Sequence, residues 1–448
     1  MPEMNNTSGQ YRGKGGLPKV VVIGAGFAGL WLTKKLSGKP LEVVLVDKTN
    51  YHTFLPLLYQ AAAAEVEPES IAYPIRSIIR KMPNVRFIMA DIKEINYEER
   101  LVIANDITID YDFLVIAIGS ATQFFDTPGT EEYAFQLKNL EHAIMLRSQI
   151  LRCFEKAMVE KNDDARRKYL TFTVIGGGAT GVEFAGALAE LIYGPLKKDF
   201  PSIDFQEVKI YLIEAASGVL LTYPNHLREY TVNSLRQMGV NVILETFVTH
   251  ITVETVHLKD KGVIPTETVV WTAGVRGAPI AEKWGLPITR SGRIEVLQTL
   301  QLEKYSEIYV IGDLAAVMAN DNKHHLPMLA PVATQQGSWA ATNILRQINK
   351  KPPLPFKYLD KGTMVTIGRK KAIAMVGKRT FNGFIAWVMW LFIHLYNLIG
   401  FKNRLMVLVN WANDYIFYEK SIRLILPYKR SSIIKKQLLE QLLKEEKK

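Results

Sequence analysis

The chain has one cysteine in 448 residues, Cys153. A single thiol excludes an intrachain disulfide, a C-x-x-C redox pair and a cysteine-rich metal site, and with them dithiol chemistry. No metal site is expected. Acidic residues are also in the minority, 44 Asp and Glu against 55 Lys and Arg, for a formal charge of +11. That surplus suits an anionic partner such as nucleic acid, a phosphate-rich cofactor or an anionic membrane face; it equally suits a soluble basic protein. Residues 1–16 lack the apolar run of a signal peptide and read as a polar, glycine-rich, flexible extension. The length predicts two or three domains, each able to bury a full core.

What is present begins at Val20-Val21-Val22-Ile23. This β-branched run ends in G-x-G-x-x-G at Gly24, Gly26 and Gly29, with Phe27 and Ala28 between the last two, and opens into a helix-period segment. A second strand-like run, Leu41 to Val46, closes on Asp47. Together these describe a dinucleotide-binding βαβ unit. Backbone amides at the glycines approach a pyrophosphate, the helix start supplies partial positive charge, and the Asp47 carboxylate accepts from a ribose diol. After Asp47 comes an aromatic, proline-bearing loop from Lys48 through His52 to Gln60, placed either for packing or for cofactor contact. Val85 to Val102 predicts two short strands. Asp110 to Ser120 reads as a buried parallel strand whose small residues and Gly119 abut the cofactor.

Residues 129–168 form a charged, mostly helical connection, amphipathic from Leu140 to Lys161. A second fingerprint follows, in which Leu170 to Ile175 turns through Gly176, Gly178, Thr180 and Gly181 into a helix bearing Glu183. Its distal acid is Glu214, reached after a longer excursion from Tyr193 to Gln206. An acid there repels a 2′-phosphate, so NAD is expected rather than NADP; a solvated strand end is the bland alternative. Leu227 to Met238 predicts a helix, Val240 to Leu244 and Val248 to Val253 strands. Thr268 to Val275, with Gly274, repeats the design of the strand ending at Gly119. Ile308 to Ile311 then leads to Gly312-Asp313, where the carboxylate either contacts a cofactor or caps the next turn. Pro327 to Gly337 enters a helix reaching Ile348.

The C-terminal region changes character. Thr380 to Phe401 has no Asp, Glu, Lys or Arg, is rich in Phe, Trp, Leu and Ile, and is flanked by Lys378-Arg379 and Lys402-Asn403-Arg404. Its length would just permit a membrane-spanning helix. Asn382, Gly383, His394, Asn397 and Gly400 interrupt it, and its aromatics suit an interface. Leu405 to Leu426 is a second apolar stretch, and Ile433 to Leu443 again sets apolar beside basic residues. From Lys429 onward seven Lys or Arg stand against three Glu, giving 7 − 3 = +4. The favoured reading is a monotopic platform lying on the membrane, ahead of a spanning helix or a soluble core or dimer surface.

Two dinucleotide modules, the second nested in the first, resemble the two-dinucleotide-binding-domain flavoprotein superfamily. Within it the chain resembles the type II NADH:quinone oxidoreductases of respiratory membranes, from about Lys19 to Tyr418. The residues that carry this are Asn50 to Tyr59, Gly176 to Glu183, Trp271 to Val275, the excursion before Glu214 and the C-terminal platform. The superfamily's disulfide and sulfide-oxidising branches need cysteines absent here. The resemblance implies FAD at Gly24, Gly26, Phe27, Ala28, Gly29, Asp47, Lys48, His52, Gly119, Gly312 and Asp313. It implies NADH at Gly176, Gly178, Thr180, Gly181, Glu183, Glu214 and Gly274, and a membrane quinone, menaquinone or ubiquinone, as acceptor.

By the same resemblance a hydride passes from NADH to the flavin, and two electrons and two protons then reach the quinone. Glu183 matches a glutamate implicated in proton delivery; the alternative is a glutamate satisfying the helix dipole. Gln335 and Gln336 match a glutamine-bearing segment near flavin and quinone. Family members often show Ala-Gln-x-Ala-x-Gln where this chain has Ala330-Pro331-Val332-Ala333-Thr334-Gln335, so Pro331 replaces a glutamine. Lys402 matches a lysine near the catalytic glutamate, or snorkels at an interface.

The expected fold is therefore α/β, with two Rossmann-like dinucleotide-binding domains, the second inserted in the first, plus a C-terminal helical membrane-associating region. Its parts are a flexible extension at 1–18, an FAD-binding domain from 19–125 and 292–355, an NADH-binding domain at 126–291 and a membrane-anchoring region at 356–448. A homodimer peripheral to the cytoplasmic face of a bacterial inner membrane is expected, with no nucleic-acid partner and no proton pumping. Two other readings stand beside it: a soluble FAD-dependent NADH oxidase or ferredoxin-type reductase whose C-terminus is a dimer interface, and a non-enzymatic nucleotide sensor.

Overall fold

The computed structural model describes residues 10–11, 16–105, 107–319, 324–417 and 423–426. The chain divides into two compact units, one from Met1–Thr53, Ala72–Gln123 and Val275–Lys361, the other from Phe54–Ile71, Phe124–Gly274 and Gly362–Lys448.

The first unit is built on a parallel sheet ordered Ile308–Val310, Phe113–Ile116, Lys19–Ile23, Glu42–Asp47, Val85–Met89. Val20, Val21 and Val22 are fully buried, which is why the run is continuously apolar rather than alternating. Helices Phe27–Leu36 and Ala330–Ile348 meet at small residues, since a Cβ on Gly337 would overlap the Ala28 carbonyl. The stretch after Val85 differs from expectation: it holds three strands, Val85–Met89, Ile92–Asn96 and Leu101–Ala104. The first pairs parallel with Glu42–Asp47, whereas the next two pair antiparallel with each other in a separate sheet. The chain changes sheets at Ala90, whose amide bonds the Asp47 carbonyl at 2.9 Å.

The second unit repeats the design. Its parallel sheet runs Phe135–Gln136, Thr268–Trp271, Thr171–Ile175, Lys209–Ile213, Val240–Ile243. Helix Ala179–Leu191 follows the second fingerprint. The excursion after it begins as a wide π-type turn, Ile192–Leu196, in which Pro195 lacks the amide an α-turn would use. Residues Phe54–Ile71 join this unit, so the loop after Asp47 is divided. Tyr51–Thr53 pairs with Ala72–Pro74 in the first unit, while the buried helix Leu58–Ala62 belongs to the second.

The uncharged C-terminal run is likewise divided. Thr363–Gly368, Lys371–Val376 and Arg379–Asn382 form an antiparallel meander, followed by helices Gly383–Asn397 and Phe401–Phe417. Gly383 (φ +67°) and Gly400 (φ +88°) adopt left-handed backbone at the start of each helix, a conformation that a single long helix excludes. Among the described residues no helix is long and apolar enough to cross a membrane. The tail from Lys429, with its basic surplus and the Ile433 to Leu443 segment, lies outside the described residues.

Candidate active site

In the first unit the three fingerprint glycines answer to different constraints. Gly24 has φ +104°, and a Cβ there would overlap the Ala117 carbonyl at the end of the neighbouring strand. Gly29 needs its bare Cα because a Cβ would overlap the Gly24 carbonyl. Gly26 is exposed, with nothing within 4 Å of where a Cβ would stand. Among the described residues no neighbour requires glycine there, and the bare backbone leaves room for a group to approach it. Phe27 and Ala28 follow at the helix start. Asp47 Oδ2 accepts from the Ala25 amide at 2.7 Å, and its Oδ1 accepts from the Thr49 amide at 2.8 Å, so the carboxylate sits beneath the turn.

Five further expected residues belong to the same unit. His52 is 3% exposed, its Nδ1 lies 2.9 Å from the Ala25 carbonyl, and its ring meets Phe27 edge-on at 5.1 Å. Burial lowers its pKa to about 4, so the ring is neutral, with Nδ1 donating to the carbonyl. Gly312 donates its amide to Gln336 Oε1 at 2.6 Å and has φ +76°. Asp313 Oδ2 accepts from Ser120 Oγ at 2.6 Å, next to Gly119 at φ +73°. Lys48 is exposed. His52 Nε2 and Gln336 Nε2 are buried with no hydrogen-bond partner among the described residues. Two orphaned polar atoms, an open Gly26 and paired acids fit a large, polar, phosphate-bearing cofactor.

The second unit reproduces this pattern. Gly176 (φ +110°) faces Ala273 so closely that a Cβ would stand 2.5 Å from its Cα, a Cβ on Gly181 would overlap the Gly176 carbonyl, and Gly178 is exposed with nothing within 4 Å. Glu214 Oε2 accepts from the Gly177 amide at 2.5 Å and Oε1 from Ala216 at 2.8 Å. Ala25 and Gly177 each follow the first glycine of their fingerprint, so the two acids bind equivalent amides. Thr180 is exposed at the helix start and Gly274 lies just beyond the strand Thr268–Trp271.

Glu183 stands one turn into the helix Ala179–Leu191. The residue is half-buried, and desolvation of its carboxyl raises its pKa to about 8. The Thr366 amide, 3.4 Å from Oε1, and the Trp390 indole oppose that rise. Burial pushes the nearby Tyr223 phenol up to about 12, and the Glu183 charge adds to the rise. Helix-dipole stabilisation would lower an acid's pKa, whereas burial dominates at Glu183 and raises it. The meander strand Thr363–Gly368 reaches this helix because a Cβ on Gly186 would overlap the Ile367 carbonyl.

The pyridine nucleotide-disulphide oxidoreductase model matches residues 18–337, and an NDH2 C-terminal domain model matches 361–418. The chain is 35% identical over 413 residues to the type II NADH:quinone oxidoreductase Ndh of Mycobacterium tuberculosis, covering 89% of this chain and 88% of that protein. It belongs to the type II NADH:quinone oxidoreductases. The Staphylococcus haemolyticus member is 33% identical over 82% of this chain and 91% of its own length. Among solved structures, NDH2 from Plasmodium falciparum in complex with NADH superposes with a TM-score of 0.85 at 18% identity, covering 92% of this chain and 100% of that one, a likeness of fold.

Within this family the remaining expected residues take specific places. Cys153 is buried, its Sγ 3.4 Å from Thr268 Oγ1. Gln335 commits both ends of its amide to the Leu359 backbone, at 2.9 and 3.0 Å. Pro331 is exposed in the first turn of its helix. Lys402 is exposed and is not among the groups around Glu183. The sequence reading passed over Ser120, Gly186, Tyr223, Thr366 and Trp390. It also passed over Arg293, which donates to the carbonyls of Leu326 and Ala315 and so ties down the turn after Asp313. Only Ser120 and Gly186 carried a local signal, one following a strand-end glycine and the other five residues beyond a fingerprint glycine.

Proposed function

We propose that this chain oxidises NADH, bound at the second fingerprint, with FAD held at the first, and delivers the electrons to a quinone of the membrane on which it lies. The observation that carries the reading is the repeated fingerprint, each copy with an open middle glycine and an acid beneath its turn. FAD, when bound, supplies the redox chemistry by accepting a hydride and passing electrons on. The chain's own residues bind, orient and handle protons. Gly24 to Gly29 and Asp47 would hold the pyrophosphate and ribose of FAD, while Ser120, Asp313, His52 and Gln336 would meet its remaining polar groups. Gly176 to Gly181 and Glu214 would hold NADH. Glu183 holds a proton at neutral pH, where an ordinary glutamate has lost it, and is the acid from which a reduced quinone would be protonated.

The membrane contact is read from helices Gly383–Asn397 and Phe401–Phe417. Phe384, Ile385, Phe392 and Tyr396 on the first, and Phe401, Leu405 and Val409 on the second, are exposed, several by 60–80%: Ile385 63%, Phe392 70%, Tyr396 69%. An apolar face of this extent beside Lys378, Arg379, Lys402 and Arg404 is suited to a lipid interface rather than to water. The excess positive charge of the chain favours the anionic cytoplasmic leaflet of a bacterial inner membrane. A homodimer completes the proposal.

The test is anaerobic. Purified protein should show a flavin spectrum that NADH bleaches and a short-chain naphthoquinone or benzoquinone restores. A spectrum without flavin, or one that NADH leaves unchanged, refutes the enzyme; reoxidation by oxygen alone, with none by quinone, favours the NADH oxidase.

A further inference from the structure

Trp390 lies in helix Gly383–Asn397 and is 1% exposed. Its ring is fixed from several sides. His394 stacks on it at 4.0 Å and 22°, Tyr59 meets it edge-on at 6.4 Å, and Trp411 lies 5.8 Å away. The neighbours are themselves pinned. His394 Nδ1 lies 2.8 Å from the Trp390 carbonyl, and Trp411 donates its indole N–H to Gln60 at 3.0 Å. A ring packed in this way cannot turn to find another acceptor. Its own N–H is buried, and the Glu183 carboxyl is the acceptor beside it.

We propose that Trp390 is a positioning residue for Glu183, aiming the carboxyl and supplying the donor that receives its charge when the proton leaves. The proposal rests on the reading of Glu183 as the acid of the reaction. A buried indole N–H without an acceptor is costly, and a neutral carboxyl beside it is a weak acceptor. Ionisation turns that carboxyl into a strong one, so a charge-assisted bond becomes available only after the proton has gone. The geometry thus opposes the enclosure that keeps Glu183 protonated, and makes release of the proton reversible rather than prohibitive. The groups facing the carboxyl are the Thr366 amide, the Trp390 indole and the Tyr223 phenol. Tyr223 stays neutral up to about pH 12, and His394, held down to about 4 by burial, is neutral above that. Between those limits Glu183 is the group of this cluster that titrates.

The test uses the FAD-loaded, full-length protein. Trp390→Phe keeps the ring and removes only the donor. Carboxyl infrared difference spectra, with Glu183→Gln as the reference, should place the Glu183 midpoint about one pH unit higher in Trp390→Phe, a roughly tenfold change in proton affinity. The limb of the quinone turnover profile assigned to Glu183 should move with it, at unchanged flavin content; a Trp390 that only packs would leave both midpoints in place and overturn the proposal. A second measurement does not depend on how that variant folds. In protein labelled with 15N at its seven indoles, one indole N–H signal should shift through the Glu183 midpoint and lose that dependence in Glu183→Gln. Seven pH-independent indole signals would overturn the pairing. If Glu183→Gln keeps full quinone turnover, the acid role fails, while the infrared and indole titrations still decide whether Trp390 serves the carboxyl.

Discussion

Gly186, on the helix that carries Glu183, packs directly onto the backbone of Ile367, where a Cβ would overlap the carbonyl oxygen. Gly186 is the third residue after Glu183, on the same face of that helix, so the contact sets how near the carboxyl comes to Thr366. Gly186→Ala should destabilise the protein by about 1–3 kcal/mol, since the meander backbone has to move to admit a methyl group. It should also weaken the enclosure of Glu183. Thermal unfolding together with the pH dependence of quinone turnover checks both effects, and an unchanged Tm would show that the helix and strand part at little cost.

The glycines of each fingerprint should separate by what they touch. Gly29→Ala and Gly181→Ala place a methyl group on the carbonyl of their own turn and should lower Tm whether or not ligand is present. Gly26→Ala and Gly178→Ala place it in open space, so the fold should tolerate them. Their effect should appear only on binding: loss of flavin for Gly26→Ala, and a KM for NADH raised by roughly tenfold or more for Gly178→Ala. Flavin content and initial rates distinguish the two classes.

Much of this was legible in the sequence, and the reason is local. A β-branched run, three glycines at fixed spacing and a distal acid form one contiguous unit, so both dinucleotide folds and the place of Asp47 and Glu214 at the close of their second strands could be read from the residues, whereas the bonds of these acids to the turn amides could not. The environment of Glu183 was not legible. It is assembled from Thr366, Tyr223 and Trp390, which are far apart in the chain, and no periodicity links them. The C-terminal run misleads in the other direction. Its composition would just fit a spanning helix, yet two left-handed glycines, Gly383 and Gly400, divide it into a strand and two shorter helices. The loop after Asp47 reads as continuous, but His52 packs on Ala25 and Phe27 in the first unit, whereas Tyr59 and Gln60 pack on Trp390 and Trp411 in the second.

Glu214 should set the preference for NADH. Its carboxylate lies under the Gly176 turn, bound to the amides of Gly177 and Ala216, where a 2′-phosphate would meet like charge. Glu214→Ala should reduce the ratio of kcat/KM for NADH over NADPH by roughly tenfold, about 1.4 kcal/mol of lost discrimination. An unaltered ratio would remove the ribose assignment.

The exposed aromatics should carry membrane binding without carrying the fold. Phe392 and Phe401 are 70% and 82% exposed, so replacing each by Glu should change stability by no more than about 0.5 kcal/mol. Each loses about 1.5–3 kcal/mol of burial in lipid, and the double variant should fall in liposome co-sedimentation by on the order of a hundredfold or more. Phe247→Glu, at an exposed position of the same unit outside the two helices, should bind as before. Equal binding by all three proteins would remove the platform.

The proton on Glu183 should also register in stability, and its sign is fixed. The folded carboxyl loses its proton near pH 8, whereas the unfolded one does so near 4.5. Below the lower value both states are protonated and pH has no effect through this group. Between the two the folded chain holds the additional proton, unfolding releases it, and stability falls as pH rises. Above about pH 8 the loss is complete. Glu183→Gln cannot ionise, so its Tm relative to the parent should climb between pH 5 and pH 9, with the parent losing ground rather than the variant gaining contacts. Quinone turnover of the same variant should fall while its flavin remains bound and reducible by NADH. A Tm difference that stays level across that range would mean that Glu183 titrates as a solvated glutamate, and its burial would then have no bearing on its proton.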